Sequence, residues 1–554
     1  MPLIKDKIEY YLKQAMLQFQ RKEGFDFPAT INLAIEHPQN HAHGDYSSGI
    51  SMKLAGILKS SPISIAEKLI NQMPLCPEIS EVCIVRPGFI NFTLKHNWLI
   101  KQVDTILDCG QIYGDLNIGK SVPVQVEFVS VNPTGPLHVG HGRGAVLGSV
   151  VANILTAAGY TVEKEYYLND TGTQIDIFRR SLYARYCECL GRDAEMPING
   201  YYGDYLVDMA KNIIKDNGDI FLTKPQEEAI LEIGKIGFTI VVNNIRQDLV
   251  SINVDFDNWF SEKSLYQSGE YDGIMATLKK SGYIVNKDNA TWFKSIFQGN
   301  EIDNVLIRSD GTPTYFASDI AYHYNKLVTR KFDTVIDIWG ADHQGHVPRM
   351  KAAIEAFGKD PDKLKVVICQ LVTLCRGKET IKISKRSGEI ITLRELVEEI
   401  GPDACRFFFL SRSANSQMDF DINLAKEQSS SNPVYYVQYA HARITSIIRL
   451  AKQKGIDYSR GDVSLLITEA ELILIRQLIL LPEIVEKVAT TLEPQHLAHY
   501  VQELATAFHS FYRQCRVISE DVALSEARLK LVKATQIVIA KSLNLMSINA
   551  PVKM

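Results

Sequence analysis

Two histidines three positions apart, His138-Val139-Gly140-His141, stand where an apolar, β-branched run gives way to a helical pattern. At a helix start, imidazoles with this spacing share one face. The unpaired backbone N–H groups and positive dipole end there suit a phosphate. Gly140 carries no side chain, so a flat base can lie on the backbone. Much further along, Lys382-Ile383-Ser384-Lys385-Arg386-Ser387-Gly388 gathers cations, small hydroxyls and a glycine in a polar loop. Such a loop can wrap a triphosphate and neutralise charge that builds up during nucleotidyl transfer. Each motif also has a plain structural reading. The histidines could simply cap a helix beside a packing glycine, and the basic run could be a solvated loop.

The surrounding pattern is that of a nucleotide-binding half-sheet. Val122 to Val131 reads as a buried parallel strand. It enters Asn132-Pro133-Thr134-Gly135-Pro136, then a helix from His138 to about Ala158 and a strand from Thr161 to Leu168. This β-turn-α-β order predicts a doubly wound α/β core. Later strands are expected at Asn304 to Arg308, Thr334 to Trp339 and Lys365 to Leu371, with a largely helical insertion over about 180–290.

Flanking regions have other textures. Upstream, Ile4, Ile8, Leu12 and Ala15 recur at helical spacing, and Ile31, Leu33 and Ile35 alternate as in a strand. Two strands, Val82 to Val85 and Phe89 to Leu94, flank Pro87-Gly88. These features predict a small α+β unit ending near Tyr113 to Gly119. Downstream, Thr392 with Glu395 forms a capping box for a helix through Glu399, and Pro402 opens a helix through Leu410. After the linker-like Ser429 to Pro433, helices are expected at 434–454, 463–490, 494–515 and 523–547.

Composition sets outer limits. The chain has 554 residues, 46% hydrophobic and 22% charged, with 60 basic and 64 acidic residues and a formal net charge of −4. That balance excludes a histone-like polycation but permits a local basic groove. The 9 cysteines form no CxxC pair; Cys187 and Cys189 lack partners for a zinc site, so reduced thiols and no protein zinc site are expected. Lys5, Asp6, Lys7 and Glu9 interrupt any leader-like apolar stretch, and Gly144 to Gly159 is too short and polar to span a bilayer. The expectation is a soluble cytoplasmic protein with no membrane partner.

Together HVGH and KISKR resemble the HIGH and KMSKS signatures of class I aminoacyl-tRNA synthetases, in order and separation. The similarity to arginyl-tRNA synthetases covers nearly the whole chain. It is carried by Glu127-Phe128-Val129-Ser130-Val131-Asn132-Pro133, by Tyr315-Phe316-Ala317-Ser318-Asp319 after Asp310-Gly311-Thr312, and by Trp339-Gly340-Ala341-Asp342-His343-Gln344-Gly345-His346. Gly401 to Phe408, Tyr439-Ala440-His441-Ala442-Arg443-Ile444 and the ending Ala550 to Met554 add to it.

The resemblance implies a Rossmann-type parallel-sheet catalytic core with an N-terminal α+β domain and a C-terminal all-α bundle. It implies an arginine–tRNA ligase that joins L-arginine to ATP and passes it to tRNA(Arg), with tRNA needed for the first step. His138, His141, Lys382 and Lys385 would act on the phosphates; Gly140, Gly340, Asp342 and Ser384 would complete the ATP site. Glu127, Asn132, Tyr315, Asp319 and His343 would hold arginine, with Asp319 meeting the guanidinium by charge-assisted hydrogen bonds. Phe89 and Asn91 would touch the tRNA elbow, and Tyr439 and Arg443 the anticodon arm. Mg2+ would travel with ATP, no metal would be held by protein side chains, and the chain would act as a monomer. The implied units are 1–118, the catalytic domain 119–390 with its insertion, connecting helices 391–430, and the anticodon-binding bundle 431–554.

One departure stands out. Many family members carry a lysine three residues before the first signature histidine and lack the second KMSKS lysine; here that position is Gly135, while Lys385 is present. Position 343 is His where some relatives have Gln. Competing readings are a cysteine or glutamate synthetase, an inactive tRNA-binding paralogue, and a small nucleotidyltransferase. The missing zinc ligands, the acidic pocket motif, the two intact signatures and the long C-terminal bundle weigh against these in turn.

Overall fold

Ile4, Ile8, Leu12 and Ala15 line the buried face of α1 (Ile4–Glu23), as their spacing requires. The computed structural model describes residues 3–24, 33–297, 299–377, 379–381 and 391–554. The helix packs beside a four-stranded antiparallel sheet of order β1-β2-β4-β3, touching its edge strand β1. Its strands are β1 (Ile35–Glu36), β2 (Tyr46–Ser48), β3 (Ile79–Val85) and β4 (Phe89–Leu94), with α2 (Ile50–Leu58) and α3 (Pro62–Gln72) between the second and third. The expected hairpin around Pro87-Gly88 is present, pairing Val85 with Phe89. Ile31 lies outside the described residues. Helix α4 (His96–Cys109) then leads toward the core.

The core is a five-stranded parallel sheet of order β12-β11-β5-β6-β7. In chain order its elements are β5 (Pro123–Glu127), α5 (Val139–Ala157), β6 (Thr161–Leu168), α6 (Thr173–Cys189), α7 (Asp204–Asn217), α8 (Gln226–Ser251) and β7 (Asn258–Ser261). There follow α9 (Glu262–Gln267), α10 (Glu270–Lys280), β8 (Ile284–Lys287), β9 (Ala290–Phe297), β10 (Asn300–Ile307), α11 (Tyr315–Tyr324), β11 (Thr334–Gly340), α12 (Val347–Ala356) and β12 (Leu364–Cys369). The order reverses between β5 and β11, which makes their carboxyl ends the switch-point crevice where such sheets bind ligands.

Three strand expectations are corrected. The first strand stops at Glu127, because Val129 (φ 69°) and Ser130 (φ 40°) turn into the left-handed region. The segment at Asn304 to Arg308 belongs to a separate antiparallel sheet of order β10-β9-β8 and not to the core. The stretch read as helical insertion contains β7, which pairs with β6 and forms one edge of the parallel sheet.

Helix α5 lies close against the sheet because Gly148 has no side chain: a Cβ there would sit 2.2 Å from Cγ of Phe128. Beyond the core come β13 (Val372–Arg376), β14 (Glu379–Thr380), α13 (Leu393–Ile400), α14 (Pro402–Leu410), β15 (Met418–Asp421) and α15 (Ile422–Lys426). The Thr392–Glu395 capping box is formed as expected. A helical bundle follows: α16 (Pro433–Gln453), α17 (Glu469–Leu478), α18 (Leu481–Thr491), α19 (Gln495–Gln514) and α20 (Val522–Leu545). The single helix expected over 463–490 is two. Thr468 and Glu471 cap the first, and Pro482, lacking an N–H, starts the second.

The bundle is fastened to the rest. The buried Arg406 guanidinium donates to the carbonyls of Met546 (2.6 Å) and Ile252 (2.7 Å) and to Ser149 Oγ (2.9 Å), joining α14 to the ends of α20 and α8 and to α5. Arg476 meets Asp45 at 2.6 Å and Tyr46 donates to Glu483 at 2.7 Å, tying the N-terminal sheet to α17 and α18. Among the described residues no helix is long and apolar enough to cross a membrane.

Candidate active site

The turn after β5 delivers the first signature to the switch point. Ser130 Oγ accepts the backbone N–H of Tyr167 at 3.0 Å, and Tyr205 donates to the Thr134 carbonyl at 2.5 Å. These bonds hold a strained turn in place. His138 is the N-cap of α5. Its Nδ1 accepts from Gly140 N at 3.1 Å, while His141 Nδ1 accepts from His138 N at 3.3 Å. The two imidazoles stack with centroids 3.4 Å apart. Both histidines thus close the helix's first turn and lie at its positive end, as the capping reading expects. A Cβ on Gly140 would lie 3.1 Å from Cε1 of His138, so the glycine also makes room for that ring.

The downstream flank of the second signature is bound to the first. Leu393 N donates to the Leu137 carbonyl at 2.8 Å, and Thr392 bridges His138. Lys382, Ser384 and Lys385 lie outside the described residues. Arg143, fully buried, donates to the carbonyls of Gln370 and Ser416 (2.9 Å each) and Ser413 (2.8 Å). Sequence reasoning passed over it; an arginine inside an otherwise apolar helix was the available signal.

Across the crevice, α11 presents Tyr315 and Asp319 one turn apart. Tyr315 is 49% exposed. Oδ2 of Asp319 lies 3.0 Å from Nε2 of His346, in the turn after β11. Gly340, Asp342 and His343 form the exposed rim of that turn, with His343 3.6 Å from Asp342. Asn132 is exposed beyond β5 and donates to Gln174 Oε1 at 2.9 Å.

A second carboxylate, absent from the sequence expectations, lies near Asp319. Glu262 begins α9 right after β7 and is 3% exposed. Burial, with a contribution from the charge of Asp319, pushes its carboxyl up to about 7, against hydrogen bonds from Ser318 and Thr171. Nearby, Tyr266 and Ser318 hydroxyls lie 2.7 Å apart. Glu262 was missed because its segment read as insertion and not as the end of a core strand.

Glu127 sits lower, inside an ionic floor. Lys326 Nζ, fully buried over the face of Tyr322, donates to Glu127 Oε2 at 2.5 Å and to Asp337 Oδ1 at 3.0 Å. Glu127 and Asp337 are paired positions on the neighbouring strands β5 and β11. His323 Nε2 lies 2.9 Å from the other Asp337 oxygen, and its Nδ1 2.8 Å from the Asp319 carbonyl. Burial raises the Glu127 carboxyl against the pull of Lys326; for Lys326 the two carboxylates outweigh burial and raise its ammonium. Lys326 reaches this point because α11 widens into a π-turn over Asn325–Thr329.

At the sheet's switch point the chain thus places the N-terminus of α5 after β5 and two carboxylates, Asp319 and Glu262, on α11 and α9, a combination that suits a phosphate ester beside a cationic side chain. Three family models match: "Arginyl tRNA synthetase N terminal domain" over 3–94, "tRNA synthetases class I (R), catalytic domain" over 102–448 and "DALR anticodon binding domain" over 437–554. The chain belongs to the arginyl-tRNA synthetase family. It is 54% identical over 551 residues to the arginine–tRNA ligase of Dehalococcoides mccartyi, covering 100% of this chain and 99% of that one. To the arginine–tRNA ligase of Carboxydothermus hydrogenoformans it is 48% identical over 537 residues, 96% of each chain. The Thermus thermophilus arginyl-tRNA synthetase structure has the same fold, with a TM-score of 0.80 at 23% identity and 100% coverage of both chains.

The remaining family-implied residues lie away from the crevice. Phe89 is exposed at the tip of the N-terminal hairpin. Asn91 is buried, its amide donating to the His43 carbonyl at 2.7 Å and accepting from Ser47 at 2.8 Å. In the bundle, Tyr439 stacks between Tyr435 (6.3 Å) and His509 (5.9 Å), and Arg443 lies over Tyr439 (4.9 Å) and Tyr512 (5.1 Å). Tyr435, Tyr436, Tyr439 and His509 line a cavity of about 390 Å3. Phe508 and Phe511 are core.

Proposed function

We propose that this arginyl-tRNA synthetase family member activates L-arginine with ATP and transfers it to the 3' end of tRNA(Arg). The observation that carries the arginine assignment is the pair of carboxylates, Asp319 and Glu262, at one end of the crevice. A planar cation with five N–H donors can meet both, and a neutral side chain would bring no charge to balance them.

In this reading the arginine carboxylate attacks the α-phosphate of ATP. The Pα–O bond to the leaving phosphates breaks, and pyrophosphate departs. No protein nucleophile is needed, so the protein positions groups and neutralises charge. His138 and His141 hold the phosphates at the dipole end of α5, Gly140 and Gly340 give the nucleotide close backbone approach, and Asp342 serves its ribose side. Lys382, Ser384 and Lys385 supply positive charge and a hydroxyl from the second signature, Lys385 taking the place of a lysine at Gly135. Mg2+ enters as the counter-ion of the ATP phosphates. Asn132 orients the α-amino end of arginine, Glu127 with Lys326 sets the polar floor beneath it, and Tyr315 and His343 close the pocket mouth.

The tRNA would lie along the unit through residue 118, over the connecting helices 391–430 and onto the bundle 431–554. Phe89 stacks on an elbow base, and the Tyr435–Tyr439–His509 stack with Arg443 takes an anticodon base. The same reading makes the protein a cytoplasmic monomer. The deciding experiment is amino-acid-dependent ATP–pyrophosphate exchange, with and without tRNA(Arg). Exchange with arginine alone, requiring tRNA, is expected; exchange with another amino acid overturns the assignment.

A further inference from the structure

Tyr166 and Tyr167 are successive residues near the end of β6, so they face opposite sides of the sheet. Tyr166 is fully accounted for: its ring stacks on Trp259 at 4.3 Å and its hydroxyl donates to the Val131 carbonyl at 2.9 Å. Tyr167 faces the side covered by α9 and α11. Its ring packs on Tyr322 (centroids 4.4 Å) and stacks with Phe260 (6.2 Å). It is 9% exposed, yet among the described residues its hydroxyl has no hydrogen-bond partner. A buried hydroxyl left unpaired is costly, and native proteins rarely keep one without a use.

Its surroundings indicate the use. Tyr322 lies on α11 three residues after Asp319, so a ring packed on Tyr322 is close to the turn that carries that carboxylate. Beyond burial, the charges felt most strongly by the Tyr167 hydroxyl are those of Glu262, then Asp319, then Glu127, and they keep its proton in place far above the ordinary phenol range. The neighbouring hydroxyls are already used: Tyr322 donates to Glu165 at 2.5 Å and Tyr266 pairs with Ser318. Of the three stacked or neighbouring phenols Tyr167, Tyr322 and Tyr266, Tyr167 is the one whose hydroxyl has no partner among the described residues.

We propose that Tyr167 is a specificity-determining residue of the amino-acid pocket, its phenol oxygen accepting a guanidinium N–H that Asp319 and Glu262 leave unsatisfied. The inference rests on the arginine reading above. Two carboxylates cannot cap every N–H of a planar fork, and a third would leave excess buried negative charge. A neutral acceptor completes the set without that cost.

The test is Tyr167→Phe in the full-length protein, which keeps the ring and removes only the oxygen. Arginine-dependent pyrophosphate exchange with tRNA(Arg) gives KM for arginine, KM for ATP and kcat; thermal melting reports folding. A rise in arginine KM of about tenfold is expected, the worth of a hydrogen bond to a charged group, with ATP KM, kcat and Tm nearly unchanged. Unchanged arginine KM overturns the proposal. So does a joint rise in both KM values with a lowered Tm, which marks a packing role. Wild-type protein that uses another amino acid would instead sink the underlying arginine reading, so the two failures are distinct.

Discussion

Oδ2 of Asp319 is held 3.0 Å from Nε2 of His346, so one oxygen of the pocket carboxylate is fixed from β11's trailing turn. A carboxylate anchored on one side presents its other oxygen in a set direction, which is what a guanidinium fork reads. Asp319→Ala is therefore expected to raise the arginine KM on the order of a hundredfold or more, the usual scale for deleting one member of a desolvated charge pair. ATP KM should hardly move. Equal losses for both substrates in pyrophosphate exchange would show that Asp319 only supports the fold.

Glu262 makes arginine binding depend on pH. Its carboxyl, pushed up to about 7, is protonated below that pH in the free protein and charged above it. Arginine stays cationic throughout. Arginine KM is thus expected to fall as pH rises through about 7, and Glu262→Gln should flatten that profile while weakening binding at the alkaline end. The stability sign runs the other way. A carboxyl raised above its unfolded value is favourable while protonated, so its contribution declines as pH climbs from the ordinary carboxylate range to about 7. Arginine binding, which favours the charged form, offsets the loss. Arginine KM and Tm measured across neutrality check both signs.

The crevice was legible in the sequence where local chemistry repeats a known physical need. A strand, a tight turn and a histidine-capped helix announce themselves because each step constrains residue type. Tyr315 and Asp319 came instead from the resemblance to the family's pocket motif, and the structure sets them one helical turn apart on α11. What stayed hidden depended on long-range pairing. Glu262 enters the pocket only because Asn258–Ser261 adds to the sheet edge beside β6, and four residues inside a helical stretch carry no such signal. The left-handed turn at Val129 and Ser130 contradicts their β-branched surroundings and is imposed by the tertiary contacts of Ser130. The break near Pro482 was legible and simply outweighed by apolar periodicity on both sides.

The floor of the site is tested by Lys326→Met. Removing the ammonium leaves Glu127 and Asp337 buried together without their shared cation. Loss of about 3–5 kcal/mol in urea unfolding is expected, since breaking a buried pair leaves charge uncompensated. Adding Glu127→Gln to Lys326→Met should recover part of that stability, because a neutral amide needs no counter-ion. If the double variant is no more stable than Lys326→Met alone, the ion pair is not what Lys326 contributes.

Gly148→Ala tests the contact that seats the first signature. A methyl at this position would fall 2.2 Å from Phe128 Cγ and 2.5 Å from its Cβ, inside any allowed separation. Phe128 is fully buried and directly follows β5, so it cannot swing away without shifting Glu127 or the strained turn beyond it. Helix α5 must then lift, and its first turn carries His138 and His141. Ordinary Gly→Ala changes inside a helix stabilise by roughly 0.5–1 kcal/mol; here the sign reverses. A lowered Tm is expected, together with a rise in ATP KM larger than the rise in arginine KM, because the displaced element holds the phosphates. A second change, Phe128→Leu, opens space beside the new methyl and should restore much of both properties. Wild-type Tm and ATP KM in the alanine variant would mean that the helix and strand are not in the close contact on which the placement of the two histidines depends.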